Sequence, residues 1–394
     1  MPASSDELKA RLRRLAWLYR VNALVKCWQT KRSYRATLKH YAGMISHSSE
    51  VPLASLRQAE WREGHRRPRV FFMGTDEQQD KSGFAQALER IAEVEVFTRE
   101  DGAWGQNDPA AYDERRQRNT RRLWELVSGL AAKDWIPDLL ITQTWGCLID
   151  PAVLSRIRKV FGAFVINIVM DDRHQYWGRR VKGEWDGTFP LIPHLDLTLT
   201  AAPEAVDWYR KEGGAALFFP EASDPDIFYP MPELPKIHDV SFVGSRYGIR
   251  ERVVSALRAA GIQVTAYGSG WDNGRIATED VPRLFAQSKI VLGVSAIGHC
   301  PDFVGLKLRD FDAPMSGSCY LTQYNADLHG LYDIGREIDT YHSVAECVER
   351  ARYLLTHDAE RDAIAVAGRA RAALDHTWDA RLRSLWVHLG QEVA

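Results

Sequence analysis

Two stretches of the chain share one pattern, in which a short apolar run ends in glycine and a helix follows. Arg69-Val-Phe-Phe-Met-Gly74 precedes a helix predicted over 83–91, and Asp239-Val-Ser-Phe-Val-Gly244 precedes one over 247–260. Further apolar runs that alternate with predicted helices lie at 94–97, 137–142, 163–170, 195–200, 262–267 and 288–294. Because alternating strands and helices pack as open parallel sheets, the pattern predicts an α/β protein with two such sheets.

The size and composition fit a globular protein of more than one domain. At roughly 150 residues per domain, 394 residues predict two or three domains, and 45% hydrophobic with 26% charged residues is ordinary for a soluble protein. No apolar run reaches the ~18 residues that cross a bilayer, and the N-terminal residues lack the uninterrupted apolar core that a signal peptide would show. Five cysteines without a C-x-x-C pair favour a reducing compartment, so we expect a cytoplasmic protein.

The N-terminal segment differs from the rest of the chain in charge. Its first 40 residues contain ten Lys or Arg and only two acidic residues, whereas the whole chain has a net charge of -1. Apolar residues at helical spacing between 8 and 40, with Trp17, Tyr19 and Trp28 among the basic residues, predict a basic helical extension over 1–66. Two interpretations stay open. The helix packs on the protein body, or it lies on an anionic membrane surface such as the inner face of the membrane.

An acidic pair and a histidine directly follow the strongest predicted strand. Ala163–Met170 ends on Asp171-Asp172-Arg173-His174. Ligands of open α/β sheets bind at the carboxyl ends of the strands, so Asp171, Asp172 and His174 are the catalytic candidates, in that order as general bases. The alternative is a solvated loop in which an Asp caps the next helix.

The turn Gly244-Ser-Arg-Tyr-Gly-Ile-Arg250 is the candidate anion site. Backbone N–H groups at a helix N-terminus, with Arg246 and Arg250 beside them, favour a diphosphate because the helix dipole and the cations act together. The adjacent residues His299, Cys300 and Asp302 lack the spacing of tetrahedral zinc ligands, so we expect no metal site.

A third stretch, Lys307-Leu-Arg-Asp-Phe-Asp-Ala-Pro-Met-Ser-Gly317, carries cations, carboxylates and a turn glycine. It resembles the acidic segment of group 1 GT-B glycosyltransferases, and most closely the CgeB-like (spore maturation) branch. The resemblance continues through Gly335-Arg-Glu-Ile-Asp-Thr-Tyr-His-Ser-Val-Ala-Glu-Cys347, Tyr353–Asp358 and His376-Thr-Trp-Asp-Ala-Arg381. CgeB-like proteins show a similar acidic pair at Asp171-Asp172.

The resemblance implies a GT-B fold, in which two Rossmann-like domains face a cleft. The corresponding division is an extension at 1–66, an acceptor domain at 67–220, a donor domain at 236–375 after a proline-rich linker, and a C-terminal helix at 376–394 that returns to the acceptor domain. It implies transfer of a sugar from a nucleotide-diphosphate sugar to a hydroxyl of a polysaccharide, lipid-linked glycan or protein, without an essential metal or other cofactor. The donor-binding residues would be Gly244, Ser245, Arg246, Arg250, Gly268, Trp271, Lys307, Arg309 and Asp312.

Within this set the resemblance places Asp312 on the ribose hydroxyls and Trp271 near the base, with core packing as the alternative for Trp271. One departure concerns stereochemistry: retaining relatives carry a second glutamate eight positions earlier, where this chain has Val304. A catalytically silent GT-B protein that binds a nucleotide sugar or a partner is the main alternative. A dehydrogenase is disfavoured because neither glycine-rich turn reads G-x-G-x-x-G, and nucleic-acid binding because the body of the chain is acidic.

Overall fold

The computed structural model describes residues 16–44 and 67–390. The predicted helix start near Leu8 and most of the basic link at 62–67 lie outside these residues. The strands are β1 (Arg69–Met73), β2 (Glu93–Val96), β3 (Leu139–Thr142), β4 (Phe164–Val169), β5 (Arg180–Val181), β6 (Glu184–Trp185), β7 (Leu197–Thr200), β8 (Ala216–Phe218), β9 (His238–Val243), β10 (Val264–Tyr267), β11 (Ser288–Leu292), β12 (Ala296–Ile297), β13 (Cys300–Val304), β14 (Cys319–Gln323) and β15 (Asp339–Tyr341).

The α-helices alternate with these strands and are α1 (Ala16–Gly43), α2 (Glu77–Asp80), α3 (Phe84–Ile91), α4 (Tyr112–Ala131), α5 (Ala152–Phe161), α6 (Asp172–Gln175), α7 (Ala205–Lys211), α8 (Ile249–Ala259), α9 (Val281–Ala286), α10 (Arg309–Met315), α11 (Val344–Thr356), α12 (Asp358–Asp375) and α13 (Trp378–His388). No helix in the described ranges is both long and apolar enough to cross a membrane. All five cysteines are free thiols.

The chain forms two compact units, each built on one sheet. The first-sheet unit comprises the described residues within Tyr41–Pro230, Leu306–Ser316 and the described residues from Arg369 onward. The second-sheet unit comprises the described residues through His40, Met231–Gly305 and Gly317–Gly368. The stretch Leu306–Ser316 therefore belongs to the first-sheet unit.

The first sheet has six strands in the order β2-β1-β3-β4-β7-β8, and every pair is parallel. Alternate residues of β1 face opposite sides, so Val70 and Phe72 enter one core cluster and Phe71 and Met73 the other. Helices α3 and α13 cover the first side, and helices α4 and α5 cover the second. Both faces of the sheet are buried, which explains why its strands are continuous apolar runs.

The second sheet has five parallel strands in the order β10-β9-β11-β14-β15. Its apolar side chains pack against α8 and α11. The prediction of two Rossmann-like halves is confirmed. Strands β12 and β13 form a separate antiparallel hairpin, which turns at residues 298–299. Ile297, Cys300 and Phe303 of this hairpin are buried, so its apolar side chains have a core to enter.

Helix α13 contributes its apolar stripe to the core of the first-sheet unit. Trp378, Leu382, Leu385 and Trp386 are buried in the cluster that contains Val70 and Phe84. The rings of Phe84 and Trp378 meet edge to face, with centroids 5.1 Å apart. The stripe therefore fastens the end of the chain to the first sheet.

Replacing Leu382 by alanine should lower the free energy of unfolding by about 2–5 kcal/mol, because the side chain is fully buried and a cavity would remain. The matched control is Val387→Ala on the same helix, where the side chain is 63% exposed and the change should stay within about 0.5 kcal/mol. Urea unfolding of both variants measures the difference. Equal effects would show that α13 is not packed as described.

Candidate functional site

Asp171 and His174 lie where the sequence placed them, at the carboxyl edge of the first sheet. Asp171 follows β4 and precedes the short helix α6, and its side chain is 41% exposed. His174 Nε2 lies 3.9 Å from Asp171 Oδ1. Burial lowers the pKa of His174, the Asp171 carboxylate opposes that shift, and the charge of Lys307 adds to it. The imidazole is therefore held mainly neutral at neutral pH.

Glu221 belongs to the same edge and was missed by the sequence reasoning. It follows β8, in a stretch that was assigned to the start of a linker. Its Oε2 is buried and has no hydrogen-bond partner among the described residues. Burial raises the pKa of Glu221 to about 7; Lys307 and Arg309 oppose the shift, whereas Asp310 and Asp171 add to it. The position after a parallel strand was the available signal, and it is the same signal that identified Asp171.

The stretch before and within α10 brings the cations to this edge. The Lys307 amide donates to Asp310 Oδ2 at 2.7 Å, so the Asp310 carboxylate fixes the start of the helix. The charge of Lys307 acts on both His174 and Glu221. The structure thus groups Asp171, His174, Glu221, Lys307 and Arg309 in the first-sheet unit.

Asp172 is a structural residue, which corrects its selection as a catalytic candidate. It is fully buried, and its carboxylate accepts hydrogen bonds from Thr188 Oγ1 at 2.9 Å, Thr200 Oγ1 at 2.6 Å and Tyr209 Oη at 2.7 Å. Burial raises the pKa of Asp172 to about 6, against the effect of these three hydroxyls. The residue joins α6 to β7 and α7 and leaves Asp171 as the accessible member of the pair.

Asp312 does not fit the role of an open ribose ligand, which corrects the expectation from the resemblance. Its side chain is buried within the first-sheet unit, and its Oδ1 accepts a hydrogen bond of 2.7 Å from Ser223 Oγ. Burial raises the pKa of Asp312 well above its usual range. Because one oxygen is occupied and the carboxyl is shielded from water, the residue ties α10 to the segment after β8.

The second-sheet unit contains the glycine-rich turns. Gly244 follows β9 and Gly268 follows β10, and the two turns touch: the Gly244 amide donates to Tyr267 O at 2.8 Å and the Arg246 amide to Ser269 O at 2.8 Å. Gly268 has φ +131, and a Cβ there would lie 2.3 Å from Gly244 O. Only glycine allows this approach.

Trp271 and Arg250 support the turn through hydrogen bonds to its backbone carbonyls, and both side chains are buried. The Trp271 ring is buried, and its Nε1 donates to Gly244 O at 2.7 Å. The core-packing interpretation of Trp271 therefore fits better than stacking on a base. The Arg250 guanidinium is also buried, lies 4.4 Å from the Tyr247 ring centroid, and donates to Ser245 O at 3.3 Å.

The turn retains backbone amides that are unused as hydrogen-bond donors. The amides of Ser245, Tyr247, Gly248 and Ile249 make no hydrogen bond to any residue within the described parts of the chain, and they lie directly before and at the start of the 11-residue helix α8. The Arg246 side chain lies beside them, half-exposed and paired with Glu251 at 2.5 Å. Unused N–H groups, a helix N-terminus and a cation favour an anion at this position.

No three His, Cys, Asp or Glu side chains group as a metal-ligand set within residues 16–44 and 67–390. The residues first considered for this purpose have other partners. Asp302 pairs with Lys31, and the Cys300 thiol donates to Cys27 O at 3.4 Å.

Residues 250–386 match the family described as glycosyl transferase-like. The fold resembles sucrose-phosphate synthase from Thermosynechococcus elongatus, with TM-score 0.58, 13% identity and coverage of 82% of this chain and 99% of that one. It also resembles Anabaena HepE in complex with UDP-glucose, with TM-score 0.56, 13% identity and coverage of 82% and 100%. The family match and the GT-B fold support a glycosyltransferase enzyme.

A further structure that resembles this chain is AviGT4, a glycosyltransferase involved in avilamycin A biosynthesis. The TM-score is 0.53 with 16% identity, and the alignment covers 82% of this chain and 97% of AviGT4. No curated protein sequence matches the chain. At these identities the structural likeness defines the fold alone, so the substrates have to be inferred from the site.

Ionisation of Glu221 should make the protein less stable as the pH rises. Its folded pKa of about 7 exceeds the ordinary 4.5, so the protonated form is favoured in the folded state. This contribution is fully present below pH 4.5 and is lost as the pH rises through 7. Relative to the wild type, Glu221→Gln should gain at most about 3 kcal/mol of unfolding free energy across that range.

Urea unfolding at several pH values measures this difference, with Glu184→Gln, an exposed position on β6, as the matched control. The control should show no comparable pH dependence. A constant difference between Glu221→Gln and the wild type from pH 4.5 to 8 would contradict burial of an unpartnered carboxylate.

Proposed function

We propose that the protein transfers a sugar from a nucleotide-diphosphate sugar to an acceptor hydroxyl. The main support is the turn before α8, where unused amides and Arg246 converge at a helix N-terminus. The match to the glycosyl transferase-like family begins at Arg250, the second residue of this helix. A UDP-sugar is the first donor to test, because HepE, which shares the fold, has been crystallised with UDP-glucose. The segment Lys307–Gly317 favours the CgeB-like branch of the family, and the free cysteines favour a cytoplasmic location.

In this proposal the turn binds the diphosphate. The amides of Ser245 and Gly248 donate to phosphate oxygens, and Arg246 exchanges its contact with Glu251 for one with the ligand. Gly244, Gly268, Trp271 and Arg250 hold the turn in shape. As the bond to the sugar breaks, negative charge grows on the departing diphosphate, and these fixed donors stabilise it. No metal ion is required for this step.

The acceptor chemistry is assigned to the edge of the first sheet. We assign Asp171 as the general base that takes the proton of the acceptor hydroxyl, with His174 beside it. Glu221, whose pKa is about 7, remains partly protonated at neutral pH and donates a hydrogen bond to substrate. Lys307 balances the charge of the two carboxyl groups. A base at Asp171 corresponds to an inverting reaction.

A second candidate is a protein that binds a nucleotide sugar without turning it over. The observations in its favour are Val304, at the position where retaining relatives carry a glutamate, and the buried carboxyl of Asp312. Tight nucleotide binding without any release of product would select this candidate over the enzyme.

Replacing Arg246 by alanine should weaken nucleoside diphosphate binding roughly 10- to 100-fold, because one charge-assisted hydrogen bond is lost. Calorimetric titration with UDP, GDP, CDP, dTDP and ADP, together with NAD as a dinucleotide control, measures the effect and identifies the base. Arg252→Ala is the matched control, since Arg252 is exposed on the same helix. Unchanged affinity in Arg246→Ala, or binding of NAD alone, would refute the diphosphate site.

Asp171→Asn should lower kcat by about 10²- to 10⁴-fold while the nucleotide affinity stays near that of the wild type, because the base acts only in the chemical step. The measurement is release of nucleoside diphosphate from nucleotide sugars that carry the base identified above. Asp207→Asn, an exposed position on α7, is the control. A loss of affinity with kcat unchanged would show that Asp171 binds the donor and is not the base.

A further inference from the structure

One face of helix α1 is covered by the β12–β13 hairpin. The Tyr34 ring lies 4.9 Å from the Phe303 ring, and the Cys300 thiol donates to the backbone of Cys27. Lys31 pairs with Asp302 on the same side. Residues 27, 31 and 34 recur at helical spacing and so share one face, which confirms that α1 packs on the protein.

A neighbouring face of α1 carries an exposed apolar stripe. Four large side chains at i, i+3, i+4 and i+7 are accessible: Val21 (49% exposed), Leu24 (71%), Val25 (47%) and Trp28 (58%). This spacing aligns them along one side of the helix, so they form a continuous surface. We call these four residues the α1 stripe.

Basic residues continue the α1 stripe toward the end of the helix. Arg32, Arg35 and Lys39 follow Trp28 at the same helical spacing and are exposed. The Arg32 guanidinium lies 5.1 Å from the Trp28 ring centroid. Arg32 and Lys39 form no ion pair with any residue the structure describes. The 28-residue helix contains six Lys or Arg and no Asp or Glu.

We propose that the α1 stripe and the basic residues after it dock the protein on an anionic lipid surface. Apolar side chains enter the boundary between headgroups and acyl chains, and a tryptophan is favoured at that depth. Lysine and arginine then meet the lipid phosphates from the aqueous side, where the negative surface potential attracts them. The combination of apolar and purely basic side chains on one helix face fits this partner.

A second copy of the chain is a poorer fit to the same surface. Isologous pairing would set one helix with six basic residues and no acidic residue against its own copy. The like charges of two paired helices repel each other, and no carboxylate on α1 offsets the repulsion. Charge complementarity therefore selects the anionic surface.

The docking surface is separate from the proposed sugar transfer. It uses none of the residues assigned to the diphosphate or to the acceptor hydroxyl, and vesicle binding requires no nucleotide sugar. Failure of the membrane proposal would leave the enzymatic proposal standing, and the reverse also holds.

The test is co-sedimentation of the full chain with vesicles of phosphatidylglycerol and phosphatidylethanolamine, compared with phosphatidylcholine alone. We expect binding to the anionic vesicles only, weakening as salt is added. The double variant Leu24→Ser/Trp28→Ser and the charge reversal Arg32→Glu/Lys39→Glu should each reduce binding by at least about tenfold. Because all four side chains are exposed, the melting temperature should stay near that of the wild type.

Matched controls carry comparable substitutions at exposed positions away from α1. Leu374→Ser alters a side chain 75% exposed, and Lys133→Glu/Lys159→Glu reverses two exposed charges. Both should bind vesicles like the wild type. Equal binding to neutral vesicles, no binding to anionic ones, or full binding by the α1 variants would overturn the proposal. Two further results would overturn it, because each would show that protein covers the α1 stripe. One is a dimer, seen in sedimentation, that the variant Leu24→Ser/Trp28→Ser dissociates. The other is a lowered stability of that variant in a protein that does not bind vesicles.

Discussion

Parallel pairing of the strands determines where this protein can do chemistry. In a parallel sheet every strand ends at the same edge, so the loops after β1, β3, β4, β7 and β8 emerge together. Asp171 and Glu221 are far apart in sequence, and each follows a strand of the first sheet. The turns at Gly244 and Gly268 meet for the same reason at the edge of the second sheet. The positions of the residues in the proposed site are thus a consequence of sheet topology. Helices on both faces hold that topology in place.

Burial of carboxyl groups is the electrostatic feature that distinguishes the first-sheet unit. Burial raises the pKa of Asp80 and of Glu221 to about 7, and that of Asp172 to about 6. Asp172 has three hydroxyl donors and Asp80 Oδ2 accepts from Trp104 Nε1 at 2.7 Å, whereas Asp80 Oδ1 and Glu221 Oε2 have no hydrogen-bond partner in the described structure. A buried group without a partner lowers stability. Such a cost is commonly retained where the group serves binding or catalysis, which is consistent with our assignment of Glu221.

Sequence patterns predicted the fold well because each strand is a continuous apolar run between turn residues. They also selected Asp171, His174 and the Gly244 turn, since these follow strands, and these residues remain our proposal for the site. They could not distinguish Asp171 from Asp172, because α6 begins between the two residues and turns the second one inward. The burial of Asp312 and Trp271 likewise depends on partners distant in the sequence, Ser223 and Gly244. The resemblance placed Asp312 on the ribose hydroxyls, whereas for Trp271 core packing had stayed open beside contact with the base.

Helix α1 is a second place where the sequence alone could not decide between two structures. Its sequence was compatible with packing on the protein and with lying on a membrane, and these were treated as alternatives. The structure covers one face through Tyr34 and leaves the face of Leu24 exposed. Packing on the protein is therefore confirmed for one face, and membrane contact is our proposal for the exposed one. Apolar residues on two sides of one helix hide this arrangement from a search for a single stripe.

The most direct test of the central claim is a search for turnover. Wild-type protein is incubated with UDP-, GDP-, dTDP-, CDP- and ADP-sugars, without an acceptor, and the slow release of nucleoside diphosphate to water is followed. Our account predicts release from donors of one base, with the free sugar as the second product. Tight binding of a nucleotide sugar that is recovered intact after long incubation, also when polysaccharide, lipid-linked and protein acceptors are added, would contradict it and identify a binding protein.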